Sequence, residues 1–170
     1  MESRSWEEME MDCLVHIFTR LGLEDLCLTL PLVCKSWLAA VKEPLCWKKL
    51  DFRRLDLLPW SDFSKKFSKQ YSLPYFSFSC LLRLALKRSC GSVSELRLPL
   101  KHVSIDDLLL ASLKMLERLK LDECIGFDGE DGEVLEKASA VKFFSNRGCK
   151  LYYEHVDDNF CGCYSYGYIL

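Results

Sequence analysis

The stretch from Pro31 to Leu50, PLVCKSWLAAVKEPLCWKKL, is the densest run of large apolar side chains at helical spacing in the chain. Read as a helix, it puts Val33, Trp37 and Ala40 on one stripe and Cys34, Leu38 and Val41 on the next, leaving Lys35, Ser36 and Lys42 for water. A helix with so wide an apolar face needs partners on two sides. The spacing breaks between Lys42 and Pro44, and a proline in the first turn suits a following helix that carries Leu45, Cys46, Trp47 and Leu50. A compact group of short helices is the economical outcome. Burying one large apolar side chain is worth about 1.5–3 kcal/mol, so Trp37 and Trp47 each read as an anchor, either of a core or of an interface.

The residues upstream extend the same pattern. Ser5 and Glu8 have capping-box spacing and introduce a helix in which Met9, Cys13 and Ile17, with Leu14 and Phe18, recur at three- and four-residue steps up to Gly22. A second short helix is expected over Glu24 to Leu30, with Leu26, Leu28 and Leu30 packed around it. All these helices are at or below the length of about 12–15 residues at which an isolated helix is marginal in water. They must be held by one another or by a partner protein. After Leu50 the character changes: Arg53, Arg54, Lys65, Lys66 and Lys69 alternate with scattered aromatics and Pro59, which reads as an irregular connector.

From Phe76 onward a new period sets in. Phe78, Leu81, Leu82, Ala85 and Leu86 make a helix face that ends before Cys90 and Gly91, and Val93, Leu96 and Leu98 then follow the L-x-x-L-x-L spacing of a short strand. The spacing returns at Leu116, Leu119 and Leu121, twenty-three positions later, a leucine-rich-repeat period. Between them Ser104 and Asp107 cap a helix carrying Ile105 and Leu108 to Leu110. Strand alternation turns residues 93, 96, 98, 116, 119 and 121 into the core. Ser94, Glu95, Arg97, Glu117, Arg118 and Lys120 are then left outward as a small face of mixed charge, suited to a polar protein segment. Beyond an acidic turn at 128–133, a further helix is expected over Val134 to Phe144 and a third strand over Leu151 to Val156, before the aromatic and glycine-rich tail CGCYSYGYIL.

The chemistry of catalysis is not written here. There is no Gly-x-Ser-x-Gly elbow, phosphate-cradling glycine loop or H-E-x-x-H helix. Cys149, His155, Cys161 and Cys163 lack the paired spacing of a zinc site, and the crowded acidic residues at 128–133 lack the calcium-loop pattern. His16 and His102 read as ordinary structural or surface histidines. No cofactor, metal or catalytic residue is therefore expected. With 23 basic and 25 acidic residues the formal charge is −2, so neither nucleic acid nor a membrane is the expected partner. The acidic start MESRSWEEMEMD lacks the order of a secretory signal, which points to the nucleus or cytoplasm. There the ten cysteines would stay reduced; Cys13, Cys27, Cys34, Cys46 and Cys80 fall within apolar helical patterns as small hydrophobes.

The first fifty residues resemble an F-box: I-F-x-x-L at Ile17 to Leu21, the pair Asp25–Leu26, V-C-K-x-W at Val33 to Trp37, and P-L-x-W at Pro44 to Trp47. With the repeats, residues 5 to 125 are similar to the plant type of F-box/leucine-rich repeat protein. The resemblance implies an α then α/β fold, a multi-helix F-box module followed by a short leucine-rich repeat stack. The divisions are 5–52 for the module, 53–75 for the connector, 76–156 for two or three repeat units, and 157–170 for the tail. It implies docking on the Skp-type adaptor of an SCF-type cullin-RING ubiquitin ligase, with the repeats holding a protein substrate and no chemistry of the chain's own. Adaptor contact would fall to Met9, Ile17, Phe18, Leu21, Leu26, Val33, Cys34, Trp37, Leu45 and Trp47. The family's Leu-Pro at the first helix stands here as Met9–Glu10. The alternative is a non-catalytic structural or interaction protein whose helical module packs only on its own degenerate repeats.

Overall fold

The computed structural model describes residues 9–99, 103, 107, 116–121, 132–139 and 141–149. Helix α1 (Met11–Phe18) forms because Leu14, Val15 and Phe18 make one buried stripe, with Asp12 in the first turn. The Thr19 hydroxyl donates to the His16 carbonyl at 2.8 Å and closes the C-terminus. The helix begins later than the Ser5–Glu8 spacing predicts; Met9 and Glu10 precede it, and Ser5 and Glu8 lie outside the described residues.

The next segment is not the single helix expected over 24–30. Asp25–Thr29 is a π-helical turn and Leu30–Leu32 a 3-10 turn, because Pro31 has no N–H to continue an α-helix. Helix α2 is correspondingly short, Lys35–Ala40, and Val33 lies before it rather than on its stripe. Pro44–Trp47 is a 3-10 turn, and Leu50, expected on a helix, instead sits in strand β1 (Lys49–Asp51).

Residues 53–75 are not irregular throughout. Ser61 caps helix α3 (Asp62–Gln70) by accepting from the Ser64 N–H at 3.1 Å, and Phe63 and Phe67 turn inward at i and i+4. The scattered aromatics that suggested a connector are that helix's inner face, extended by Phe76, whose ring lies 5.8 Å from Phe67. Helix α4 (Phe78–Ser89) buries Phe78, Leu81, Leu82 and Ala85 as the spacing predicts. It ends at Cys90 (φ 48°) and Gly91 (φ 80°), a left-handed pair for which glycine is the low-strain choice.

Strands β1, β2 (Glu95–Arg97), β3 (Arg118–Lys120) and β4 (Phe143–Ser145) form one parallel sheet in chain order. The register sets Leu50 opposite Leu96, Leu96 opposite Leu119, and Leu119 opposite Phe144. Equivalent bonds run across all three junctions: Glu95 N–H to Lys48 at 3.2 Å, Arg118 to Ser94 at 3.0 Å, Phe143 to Glu117 at 2.9 Å. Val93, Leu96, Leu98, Leu116, Leu119 and Leu121 are all buried. They join the helical side chains in one continuous core.

Helix α5 (Gly132–Ala138) is shorter than the 134–144 reading, because Phe143 and Phe144 belong to β4. The strand expected at 151–156, most of the helix at 104–110, the turn at 128–131 and the tail at 157–170 lie outside the described residues.

Candidate protein-docking surfaces

The helical module closes on itself around aromatics. Phe18 meets Trp37 edge-on at 5.3 Å. The Trp47 indole N–H donates to the Val41 carbonyl at 2.7 Å, and the Cys46 thiol faces the Ala40 carbonyl at 3.5 Å. The indole bond satisfies the Val41 carbonyl at the end of α2, the Ala40 carbonyl also accepts from the Glu43 N–H at 3.1 Å, and together these contacts lock the 3-10 turn beneath the helix.

The ten residues proposed for adaptor contact accordingly divide. Phe18, Leu26 and Trp47 are buried, at 2% exposure or less, and belong to the core; in this closed arrangement they have no surface to give a partner. Met9, Cys34 and Trp37 are half-buried. Ile17, Leu21, Val33 and Leu45 are exposed apolar side chains, Val33 and Leu45 at about one half. Two more of the same kind were not singled out from sequence: Met11, and Leu32 at 72% exposed. Leu32 follows Pro31 in a 3-10 turn, where neither helical nor strand periodicity applies.

The exposed side chains are distributed around the module. Leu45 shares a hollow of about 390 Å³ with Asp12, His16 and Thr19. Asp12 and His16 lie on one side of the buried stripe of α1, whereas Cys13 and Ile17 lie on the other.

The sheet offers a different surface. Ser94, Glu95, Arg97 and Lys120 are partly exposed, and Glu117 and Arg118 are exposed, as alternation requires. Arg97 is paired with Glu95 at 2.6 Å and with Asp51 on the neighbouring strand at 3.2 Å, and Asp51 also receives Arg53 at 3.3 Å. Burial alone would raise the Asp51 carboxyl, but the bonds from Arg53 and the charges of Arg53 and Arg97 prevail and hold it below its ordinary value. Arg118 stacks over the Phe143 ring at 5.0 Å, and Lys142 pairs with Glu117 at 3.2 Å. Asp51 was missed as part of this face because its strand lies inside the helical module's stretch of sequence. A groove of about 420 Å³ runs from here to the turn at Leu21–Asp25.

Among the described residues no cluster of His, Cys, Asp and Glu could hold a metal ion, and no helix is long and apolar enough to cross a membrane. Among the described residues Cys13, Cys27, Cys46, Cys80 and Cys90 are free cysteines. Burial pushes the Cys27 thiol up to about 12, and burial with the Glu43 charge pushes Cys46 up to about 11. Both behave as small hydrophobes, but Cys13 and Cys80 are exposed and do not.

Residues 11–53 match the F-box-like family. The chain carries an F-box-like domain. It is 29% identical to F-box protein FBW2 of Arabidopsis thaliana, across 87% of this chain and 43% of that protein. It is 26% identical to F-box protein SKIP19 of the same plant, across 72% and 45%. A third Arabidopsis thaliana relative, an F-box/LRR-repeat protein, is 38% identical over 52 residues, 31% of this chain and 17% of that one. The chain spans less than half the length of each of these relatives. In the F-box-like domain, α1, the two turns, α2 and the Pro44–Trp47 turn supply both the closed core and the exposed apolar side chains, and Lys49–Asp51 near its end form β1.

Proposed function

We propose that the chain is a substrate-recognition subunit of an SCF-type cullin-RING ubiquitin ligase, without a catalytic site of its own, acting in the nucleus or cytoplasm. The F-box-like domain docks on a Skp-type adaptor through Ile17, Leu21, Leu32, Val33 and Leu45. The observation that carries this is the division within the domain: Phe18 and Trp47 are spent on its own core, yet these aliphatic side chains stay exposed on short helices and turns. A solitary exposed leucine needs no explanation, but the neighbouring pair Leu32 and Val33, both more than half exposed, suits a protein partner, with Ile17, Leu21 and Leu45 around it as further contacts.

The strands from residue 49 onward are, on this reading, a short leucine-rich repeat stack. In support, Leu96 and Leu119 occupy equivalent places one period apart and share one pattern of backbone bonds. The stack presents a protein substrate through Ser94, Glu95, Arg97, Glu117, Arg118 and Lys120. Four strands about 4.8 Å apart span only about 15 Å, so binding through this face alone is weak and shared with neighbouring surfaces.

Coexpression with a Skp-type adaptor and size-exclusion chromatography test the docking. A stable complex is expected, and Val33→Asp with Leu45→Asp should abolish it while the variant stays folded. A folded wild-type chain that elutes alone at micromolar concentration overturns the proposal.

A further inference from the structure

The π-helical turn leaves a specific orphan. In a continuous α-helix the Cys27 carbonyl would accept from the N–H of residue 31, but residue 31 is proline and has none. Cys27 is fully buried, so water cannot serve as the donor either. Two side chains from α3 do: Gln70 Nε2 donates to that carbonyl at 2.9 Å and the Tyr71 hydroxyl at 3.0 Å. Both lie beyond residue 53, where the F-box-like match stops. Their own positions are fixed, because Phe63 and Phe67 anchor α3 in the core and the Tyr71 ring packs on Phe67 at 4.6 Å.

What the orphan precedes matters. The 3-10 turn Leu30–Leu32 follows at once, closed by the Val33 N–H on the Leu30 carbonyl at 3.3 Å. It carries the two adjacent apolar side chains Leu32 and Val33, both more than half exposed. A turn of only three residues has its direction set largely by how the π-helical turn before it, which contains Cys27, is held.

We propose that Gln70 and Tyr71 are positioning residues for the docking ridge Leu32–Val33, so that the working docking unit extends through α3 to residue 71. The proposal rests on the adaptor-docking reading for its effect on affinity, but the brace itself is a property of the free chain. A buried carbonyl stripped of its donors draws the turn toward water or toward a rearranged backbone, and the ridge loses its fixed orientation.

The test uses the full chain with Gln70→Met and Tyr71→Phe together, which remove both donors and keep the side-chain bulk. Two quantities are read: amide hydrogen exchange at Leu32, Val33 and Cys34, and affinity for the Skp-type adaptor. Exchange at these amides should quicken while that in α4 stays unchanged, and adaptor affinity should fall about tenfold. Pro31→Ala supplies the missing N–H, so adding it to the double variant should recover most of both losses, which general destabilisation would not allow. Tyr71→Phe alone should give a smaller change of the same sign. Wild-type exchange rates in the double variant, or no recovery with Pro31→Ala, overturn the brace. A wild-type chain that ignores the adaptor, with exchange that still quickens and recovers, overturns the docking reading and leaves the brace supported.

Discussion

The helical module and the sheet use the same apolar residue types under different rules. In the sheet the side chains alternate, so Leu96 must face inward if Glu95 and Arg97 face outward, and the structure follows that rule at β2 and β3. The helical module has an eight-residue helix, a six-residue helix, two irregular turns between them and a third after the second helix. No single period spans it, and residues two positions apart, such as Leu30 and Leu32, which a strand would place on one face, fall on opposite sides of the boundary between core and water. A regular element distributes its side chains by symmetry, whereas an irregular one distributes them by local hydrogen bonding.

The sharpest way to break this comparison is at Trp47. It is buried and hydrogen-bonded, so Trp47→Ala should cost about 3–5 kcal/mol of stability by chemical denaturation. Leu32→Ala, equally apolar and in the same domain, should stay within about 0.5 kcal/mol. Equal effects at the two would mean the boundary between core and surface is drawn wrongly.

Along the sheet, Leu96→Ala should cost about 2–5 kcal/mol and Leu119→Ala should fall at the low end of that range, since Leu96 is fully enclosed and Leu119 is 8% exposed. Thermal midpoints of the two variants check the order. A larger loss at Leu119 would move the centre of the core toward β3.

The helical module, together with Tyr71 where it bonds to Cys27, should also be the more sensitive region to alkali. The Cys27 thiol is raised from 9.0 to about 12, Cys46 from 9.0 to about 11, and the Tyr71 phenol from 10.0 to about 12, in each case chiefly by burial. Each stays neutral in the folded chain after its unfolded counterpart has ionised. Their contribution is whole below about pH 9 and is lost as the pH rises toward 11 to 12. A thermal midpoint that falls over this window, and falls less steeply in Cys27→Ala, is expected.

Acid gives the smallest effect, and it belongs to the sheet. Asp51 lies below its ordinary value, so what it adds is present above the usual carboxylate range near pH 4 and disappears as the pH drops through its lowered value. Its pairs are partly exposed, and Asp51→Asn should change stability by about 0–1 kcal/mol. A substantially larger loss would make the Asp51–Arg97 pair a structural tie between strands.

How far the chain was readable from its sequence follows the same division. The 23-residue spacing of Leu96 and Leu119 foretold their pairing, and the α4 spacing foretold both the buried face and the stop at Cys90–Gly91. Trp47 carried the family pattern yet could not be assigned to core or surface, because that depended on a bond to Val41 made by the fold. Helix α3 was hidden because its exposed lysines and Pro59 suggested a solvated connector, while Phe63 and Phe67 supplied only one inward step of the period. Asp51 was out of reach for a plainer reason: its partner Arg97 is forty-six positions away.

Strand β1 has a consequence for leverage. It lies within the residues that match the F-box-like family, and it is also the first rung of the sheet. No joint separates the two regions at that point, so a torque applied at Leu96 is transmitted through backbone bonds to the turn beneath α2. If a cargo rides on the sheet and the adaptor grips the helices, the distance and angle between them are set as by a bracket rather than a tether. The reach needed to meet a modifying enzyme must then come from the cargo's own loose segments or from motion elsewhere in the assembly, and lysines on its rigid parts would be modified only where the bracket happens to aim them.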